Sequence, residues 1–225
     1  MNIKVKKVVA MIPIKLNNQR LPGKNLKILG KKVLCQYLFD TVKQIKEIDE
    51  VYVYCSDNSI QKYMPEEIHF LQRPKELDTD TVQSKDIIQK FIEVIDADIY
   101  VLMHVTQPFI KAETISNSIS KVKEENYDSA FVAYPIKEFA WYNGKPINYE
   151  LTNVVRTQEL EPLYIEGELF VFEKEVFTKE GRRIGSHPWI QPINWKENIC
   201  IDEIDDLEMA ETIIELEKKD EGYSK

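Results

Sequence analysis

The chain has 225 residues, of which 30% are charged and 43% hydrophobic, and its formal net charge is −8. That length and balance fit one sizeable soluble globular domain, and the acidic excess argues against general nucleic-acid binding. No apolar run approaches the ~20 residues that span a membrane. Three widely spaced cysteines, Cys35, Cys55 and Cys200, form neither a disulfide framework nor a zinc motif, and point to a reducing, cytoplasmic setting.

The N-terminal lysines precede an apolar run too short for a signal peptide, which reads instead as a first strand at 8–12. The strand breaks at Pro13. The following loop carries Lys15, Asn17, Asn18, Gln19, Arg20, Gly23, Lys24 and Asn25. A strand ending in a loop rich in cations and amides, at the start of an α/β pattern, is where an anionic ligand is usually held. Lys15, Arg20 and Lys24 repel one another unless an anion such as a triphosphate sits between them. Pro13 and Pro22 stiffen the loop, and Gly23 permits a turn or a close approach.

Residues 33–45 have apolar positions at helical spacing. A β-branched and aromatic strand follows at 51–55, completing a βαβ unit and implying a parallel sheet. Ser56-Asp57-Asn58-Ser59 reads as a helix cap. A short strand at 68–71 precedes Arg73-Pro74. A helix starts at Ser84 with Ile87, Ile88, Phe91, Ile92 and Ile95 on its core face, and residues 98–105 form a central apolar strand ending at Thr106-Gln107-Pro108-Phe109. A helix at 112–122 and a strand at 128–134 come next. Regular patterning then stops. Residues 135–164 read as an excursion, with Asn143-Gly144 as a hairpin turn. Residues 164–172 form a strand in which Gly167 serves close backbone approach. Arg182-Arg183 is a second basic spot, read as a solvated loop. A helix at 206–216, with Met209, Ile213, Ile214 and Leu216 inward, closes a single domain at 1–216. Residues 217–225 read as a charged, frayed tail.

The segment IPIKLNNQRLPGKNL resembles the signature of the cytidylyltransferases that activate acidic sugars, the CMP-sialic acid and CMP-KDO synthetases. Ile12, Pro13, Arg20, Leu21, Pro22, Gly23, Lys24, Asn25 and Leu26 match it in register. Lys15 stands for an Arg and Asn18 for a Ser. The run Arg73-Pro74 through Leu77, Asp80 and Thr81 resembles the family's R-P-x-x-L-x-x-D-[TK] segment. Asp128–Tyr134, the stretch from Arg156 to Pro162, Tyr164–Phe172 and the end motif at Ile201, Asp202, Asp206 and Leu207 also match, in the family's order. His104 replaces a Gln, Glu166 an Asn, Phe170 a Tyr and Cys200 an Asp.

The resemblance implies a three-layer α/β, Rossmann-like nucleotidyltransferase fold, that of the nucleotide-diphospho-sugar transferases. Its sheet would be mixed but mostly parallel, and its excursion would make a homodimer. It implies transfer of CMP from CTP to sialic acid or a related nonulosonic acid, with Mg²⁺ and without nucleic acid or membrane. Lys15, Arg20, Lys24 and Arg73 would act on the triphosphate. Pro13, Ile14, Asn18, Asn25 and Arg73 would bind the nucleotide. His104, Thr106, Gln107, Arg156, Glu166 and Phe170 would face the sugar, Arg156 from the neighbouring subunit. Asp202 would hold Mg²⁺, and because a thiol is a poor Mg²⁺ ligand, water, Glu203 or Asp205 would replace the carboxylate lost at Cys200. The alternatives are KDO or another acceptor, a nucleotide-binding homologue that has lost catalysis, and a glycosyltransferase of similar fold. The last needs a D-x-D at a strand end, whereas Asp96-Ala97-Asp98 precedes its strand.

Overall fold

Strand β1 (Val8–Ile14) runs through the interior of a seven-stranded sheet. Its sequence, VVAMIPI, has no charged residue, and a strand covered on both faces reads as such a continuous apolar run. The computed structural model describes residues 6–223, with side chains described through residue 218. After β1 come the two-residue strands β2 (Ile28–Leu29) and β3 (Lys32–Val33), helix α1 (Leu34–Val42), β4 (Glu50–Cys55) and β5 (His69–Gln72). Helix α2 (Ser84–Ile92), β6 (Ile99–Met103), α3 (Ala112–Glu124) and β7 (Ser129–Ile136) follow. The excursion holds β8 (Trp141–Tyr142) and β9 (Lys145–Pro146), and the chain ends with β10 (Leu163–Glu173), α4 (Lys174–Glu180), β11 (Pro188–Pro192) and α5 (Ile204–Tyr223).

The sheet order is β11-β7-β10-β6-β1-β4-β5. Pairing is parallel throughout except at β10, which runs antiparallel to both β6 and β7. The expected mixed, mostly parallel α/β architecture is therefore present. Cys35, Leu38, Phe39 and Val42 of α1 and Ile115, Ile119 and Val122 of α3 pack on one face, against Val8, Ala10, Ile12, Ile14 and Val101. Ile88 and Phe91 of α2 and Phe177 of α4 pack on the other, against Val9, Met11, Tyr100, Leu102 and Phe172. These are the three layers. Because β1 pairs with β4 on one side and β6 on the other, the chain reverses its winding beside β1. Crevices at such switch points, beyond the carboxyl ends of the strands, are where open α/β sheets bind ligands.

Several boundaries differ from the sequence reading. The last helix runs on to Tyr223, past the expected stop at Leu216, and residues 224–225 lie outside the described part. Its inward positions are Leu207, Ala210 and, in part, Ile214, which meet Leu21, Leu29 and Leu34. Met209 and Leu216 are exposed. The spacing of three and four between 207, 210 and 214 sets this phase, which the continuous apolar and acidic mixture conceals. Strand β11 has no expected counterpart, and it begins and ends on Pro188 and Pro192. It is an edge strand paired only with β7, where proline is tolerated. The hairpin at Asn143-Gly144 is present, with φ of 49° and 75° at the two residues, as a type I′ turn requires.

Candidate functional site

The loop after β1 is fixed by its own backbone. Gly23 takes φ 65° and starts the short 3₁₀ turn Lys24–Leu26. Asn25 is buried and donates from Nδ2 to the Lys15 carbonyl, 2.7 Å away, tying the loop's far end to its start. The loop therefore presents Lys15, Asn18, Arg20 and Lys24 to one crevice. Their neighbours there are His104, Val105 and Thr106 beyond β6, Glu168 of β10 and Asp202 ahead of α5.

The crevice has two lobes that share Pro13, Lys15 and His104. The lobe under the first loop has a volume of about 260 Å³. The second, about 340 Å³, is lined by Arg73, Leu77, Thr79, Asp80, Val82, Ser84 and the apolar side of α2. The charges are paired across the crevice. Lys24 Nζ lies 2.5 Å and Arg20 Nη2 2.8 Å from the same oxygen of Asp202. Lys15 Nζ is 2.9 Å from Asp80, which also accepts from Gln19. Arg73 is only 2% exposed; it pairs with Asp78 and lies 6.0 Å over the Tyr54 ring.

Burial by itself would raise the Asp202 carboxyl, but hydrogen bonds and charge from Lys24 and Arg20 hold it below the ordinary aspartate value. Burial pushes the Cys200 thiol up to about 11, so at neutral pH it is a protonated thiol. Burial also lowers the His104 pKa, against the opposing pull of Glu168, so the imidazole is neutral. Four buried polar atoms of the crevice have no hydrogen-bond partner: Asn18 Oδ1, Asn25 Oδ1, Arg73 Nε and His104 Nε2. Buried polar groups are normally satisfied, and these four are left to bond a ligand or water.

The family profile described as Cytidylyltransferase matches residues 9–223. The chain belongs to the cytidylyltransferase family. An N-acylneuraminate cytidylyltransferase of Streptococcus agalactiae serotype III (strain NEM316) is 24% identical over 213 residues, covering 89% of this chain and 52% of that protein. The chain thus spans about half the length of that curated relative. A 3-deoxy-manno-octulosonate cytidylyltransferase of Thermodesulfovibrio yellowstonii is 25% identical over 177 residues, covering 76% of this chain and 68% of that one. Among solved structures, CMP:2-keto-3-deoxy-manno-octonic acid synthetase complexed with CTP superposes with a TM-score of 0.74 at 16% identity, over 94% of this chain and 99% of that one. The 4-diphosphocytidyl-2C-methyl-D-erythritol synthase of Anaerococcus prevotii gives 0.65 at 14% identity, over 95% and 98%. These likenesses establish the nucleotidyltransferase fold.

The residues expected at the site divide into groups. Pro13, Lys15, Asn18, Arg20, Lys24, Asn25, Arg73, His104, Thr106 and Asp202 line the two lobes. Ile14 points into the core instead and lines neither lobe. Gln107 is buried and fully engaged: Nε2 donates to the Glu197 carbonyl at 2.6 Å, and Oε1 accepts the Glu168 N–H at 3.1 Å. It is a brace between β10 and the 194–199 segment. Phe170 is fully buried. Arg156 lies on the excursion, exposed and paired with Glu159. The second carboxylate of the first lobe is Glu168, not Glu203 or Asp205. No sequence signal marked Glu168, which lies within the strand run Leu163–Glu173. Asp96 and Asp98 sit at the opposite end of β6, where Asp96 pairs with Lys174 and Asp98 accepts the Lys7 N–H, which removes the glycosyltransferase reading.

Proposed function

We propose that this protein transfers CMP from CTP to a hydroxyl of an acidic sugar of the sialic acid type and releases pyrophosphate. The observation that carries the reading is the convergence of Arg20 and Lys24 on one oxygen of Asp202, within a crevice also lined by Lys15 and Arg73. Arg20 and Lys24 share one carboxylate oxygen, while Lys15 and Arg73 have Asp80 and Asp78 as their own partners, so the excess positive charge lies at the Arg20–Lys24 pair, and that excess suits an anionic ligand. The acceptor oxygen forms a bond to the α-phosphorus as the bond from that phosphorus to the β-phosphate oxygen breaks. Charge grows on the phosphate oxygens, and preorganised cations stabilise it. His104 offers an unpartnered nitrogen at the junction of the two lobes, where the acceptor hydroxyl meets the α-phosphate.

The donor set fits Mg²⁺. Asp202 and Glu168 are hard oxygen donors in one lobe, whereas the protonated Cys200 thiol is not. No cluster of three or more His, Cys, Asp or Glu suited to a metal exists among the described residues. Mg²⁺ beside a nucleotide needs only one or two carboxylates, completed by phosphates and water. Bound there, it would neutralise phosphate charge. Exposed Trp141, Tyr142, Ile147, Leu151 and Val154 on the excursion support a homodimer in which Arg156 serves the neighbouring site. Free Cys35, Cys55 and Cys200 suit the cytoplasm.

The relatives named above act on N-acylneuraminate and on 3-deoxy-manno-octulosonate, and the test separates these acceptors. Pyrophosphate release with CTP and Mg²⁺ is measured against N-acetylneuraminic, legionaminic, pseudaminic and KDO acids. Release with one acid supports the reading and names the acceptor. CTP binding with no release on any acid overturns it.

A further inference from the structure

Arg183, in the loop between α4 and β11, is not a solvated surface residue. Its guanidinium carbon lies over the Phe170 ring, 3.6 Å from the centroid, and only 29% of the side chain is exposed. A guanidinium over a ring is attracted to it and keeps its N–H groups free to bond. Nη2 lies 3.1 Å from Glu166 Oε1, and Nη1 lies 3.4 Å from Ser84 Oγ. Ser84 lines the second lobe of the crevice. The charge of Arg183 also reaches His104, where it adds to the effect of burial. The guanidinium therefore borders the second lobe of the crevice.

Glu166 is half exposed, and the pairing of one half-exposed carboxylate with an arginine is weak. β10 shifts register between Glu166 and Phe170, and Glu168, between them, lines the crevice. We infer that Arg183 recognises the carboxylate of the acidic acceptor, with Phe170 as its platform and Glu166 as a resident counter-ion that the substrate's carboxylate displaces. This inference rests on the proposed acidic acceptor. It also accounts for the buried Phe170: the ring acts on substrate through the arginine above it.

The test compares the unchanged protein with Arg183→Ala, Arg183→Lys and Glu166→Gln, with unchanged melting temperature as the criterion of folding. KM for CTP and for the active acid are measured separately, and affinity for the acid and its C1 amide is read by calorimetry. Arg183→Ala is expected to raise KM for the acid by about tenfold or more, the scale of a lost charged hydrogen bond, and to abolish the preference for acid over amide. KM for CTP should stay within about twofold. Arg183→Lys should recover only part of the loss, and Glu166→Gln should lower KM for the acid. Equal changes in both KM values, or no change in the acid's, overturn the inference and leave the proposed function standing. If no acid turns over, acid binding that Arg183→Ala removes upholds the inference while the proposed function fails. No acid binding by the unchanged protein overturns both.

Discussion

Lys24 Nζ stands 2.5 Å from Asp202 Oδ1 across 178 residues of sequence, joining the loop after β1 to the start of α5. Lys24 is the better buried partner, at 11% against 30% exposure, and Arg20 bonds the same oxygen from the solvent side. In this pair the lysine is the inner cation and Arg20 the outer one.

Lys24→Ala should therefore lower turnover by more than about tenfold, since deleting a group that stabilises transition-state charge typically costs several kcal/mol. Steady-state pyrophosphate release measures this, and an unchanged rate removes Lys24 from catalysis. The same pair has a pH signature. A carboxyl held below its ordinary value of 3.8 adds stability above the unfolded pKa and loses it as pH falls through the folded one. The stability difference between the unchanged protein and Asp202→Asn should be full at pH 7 and close below about pH 4. Urea unfolding at a series of pH values reads it, and a difference independent of pH would contradict the pairing.

Cys200 should behave as an inert thiol. Burial raises it to about 11, and thiolate is the form that reacts and binds metal. Alkylation by iodoacetamide at pH 8 should be about tenfold or more slower in the folded protein than in urea, as followed by mass spectrometry. Labelling at equal rates in both states would show that Cys200 is open and ionisable.

Much of the fold was legible because the strands that build it are buried on both faces. Uninterrupted runs such as VVAMIPI and IYVLM can be read without knowing their partners. The cationic loop was equally legible, since its spacing is local. Other features depend on distant chain. Glu168 reaches the site only because β10 runs antiparallel beside β6, pairing Leu169 with Met103. Arg183 reads as loop until Phe170 is seen beneath it. Gln107 reads as a ligand contact because its neighbours His104 and Thr106 line the crevice, yet its amide turns inward to the Glu197 carbonyl, 90 residues away. Pairings of that length leave no local pattern.

Gln107→Ala should expose that difference. The variant leaves the Glu197 carbonyl and the Glu168 N–H without their buried partner, and each such group costs about 1–3 kcal/mol. Stability in urea should fall on that scale. Activity should fall through the displaced Glu168 backbone, with metal dependence and acid KM shifting together. A variant of unchanged stability with a selective rise in acid KM would instead make Gln107 a direct substrate contact.

Gly167 sits between those two structural demands. A Cβ placed there would lie 2.8 Å from Val132 Cγ2 and 3.3 Å from Gln107 Nε2. The valine belongs to β7, the neighbouring strand of the sheet, and is fully buried, so it has little room to yield. Gly167→Ala should cost about 1–3 kcal/mol, the usual penalty for overpacking a filled interior. Adding Val132→Ala removes the nearer contact and should recover part of the loss, which makes the two changes non-additive, as expected of touching residues. A double-mutant cycle in urea measures the coupling. Strict additivity would mean that the Val132 contact does not limit this position.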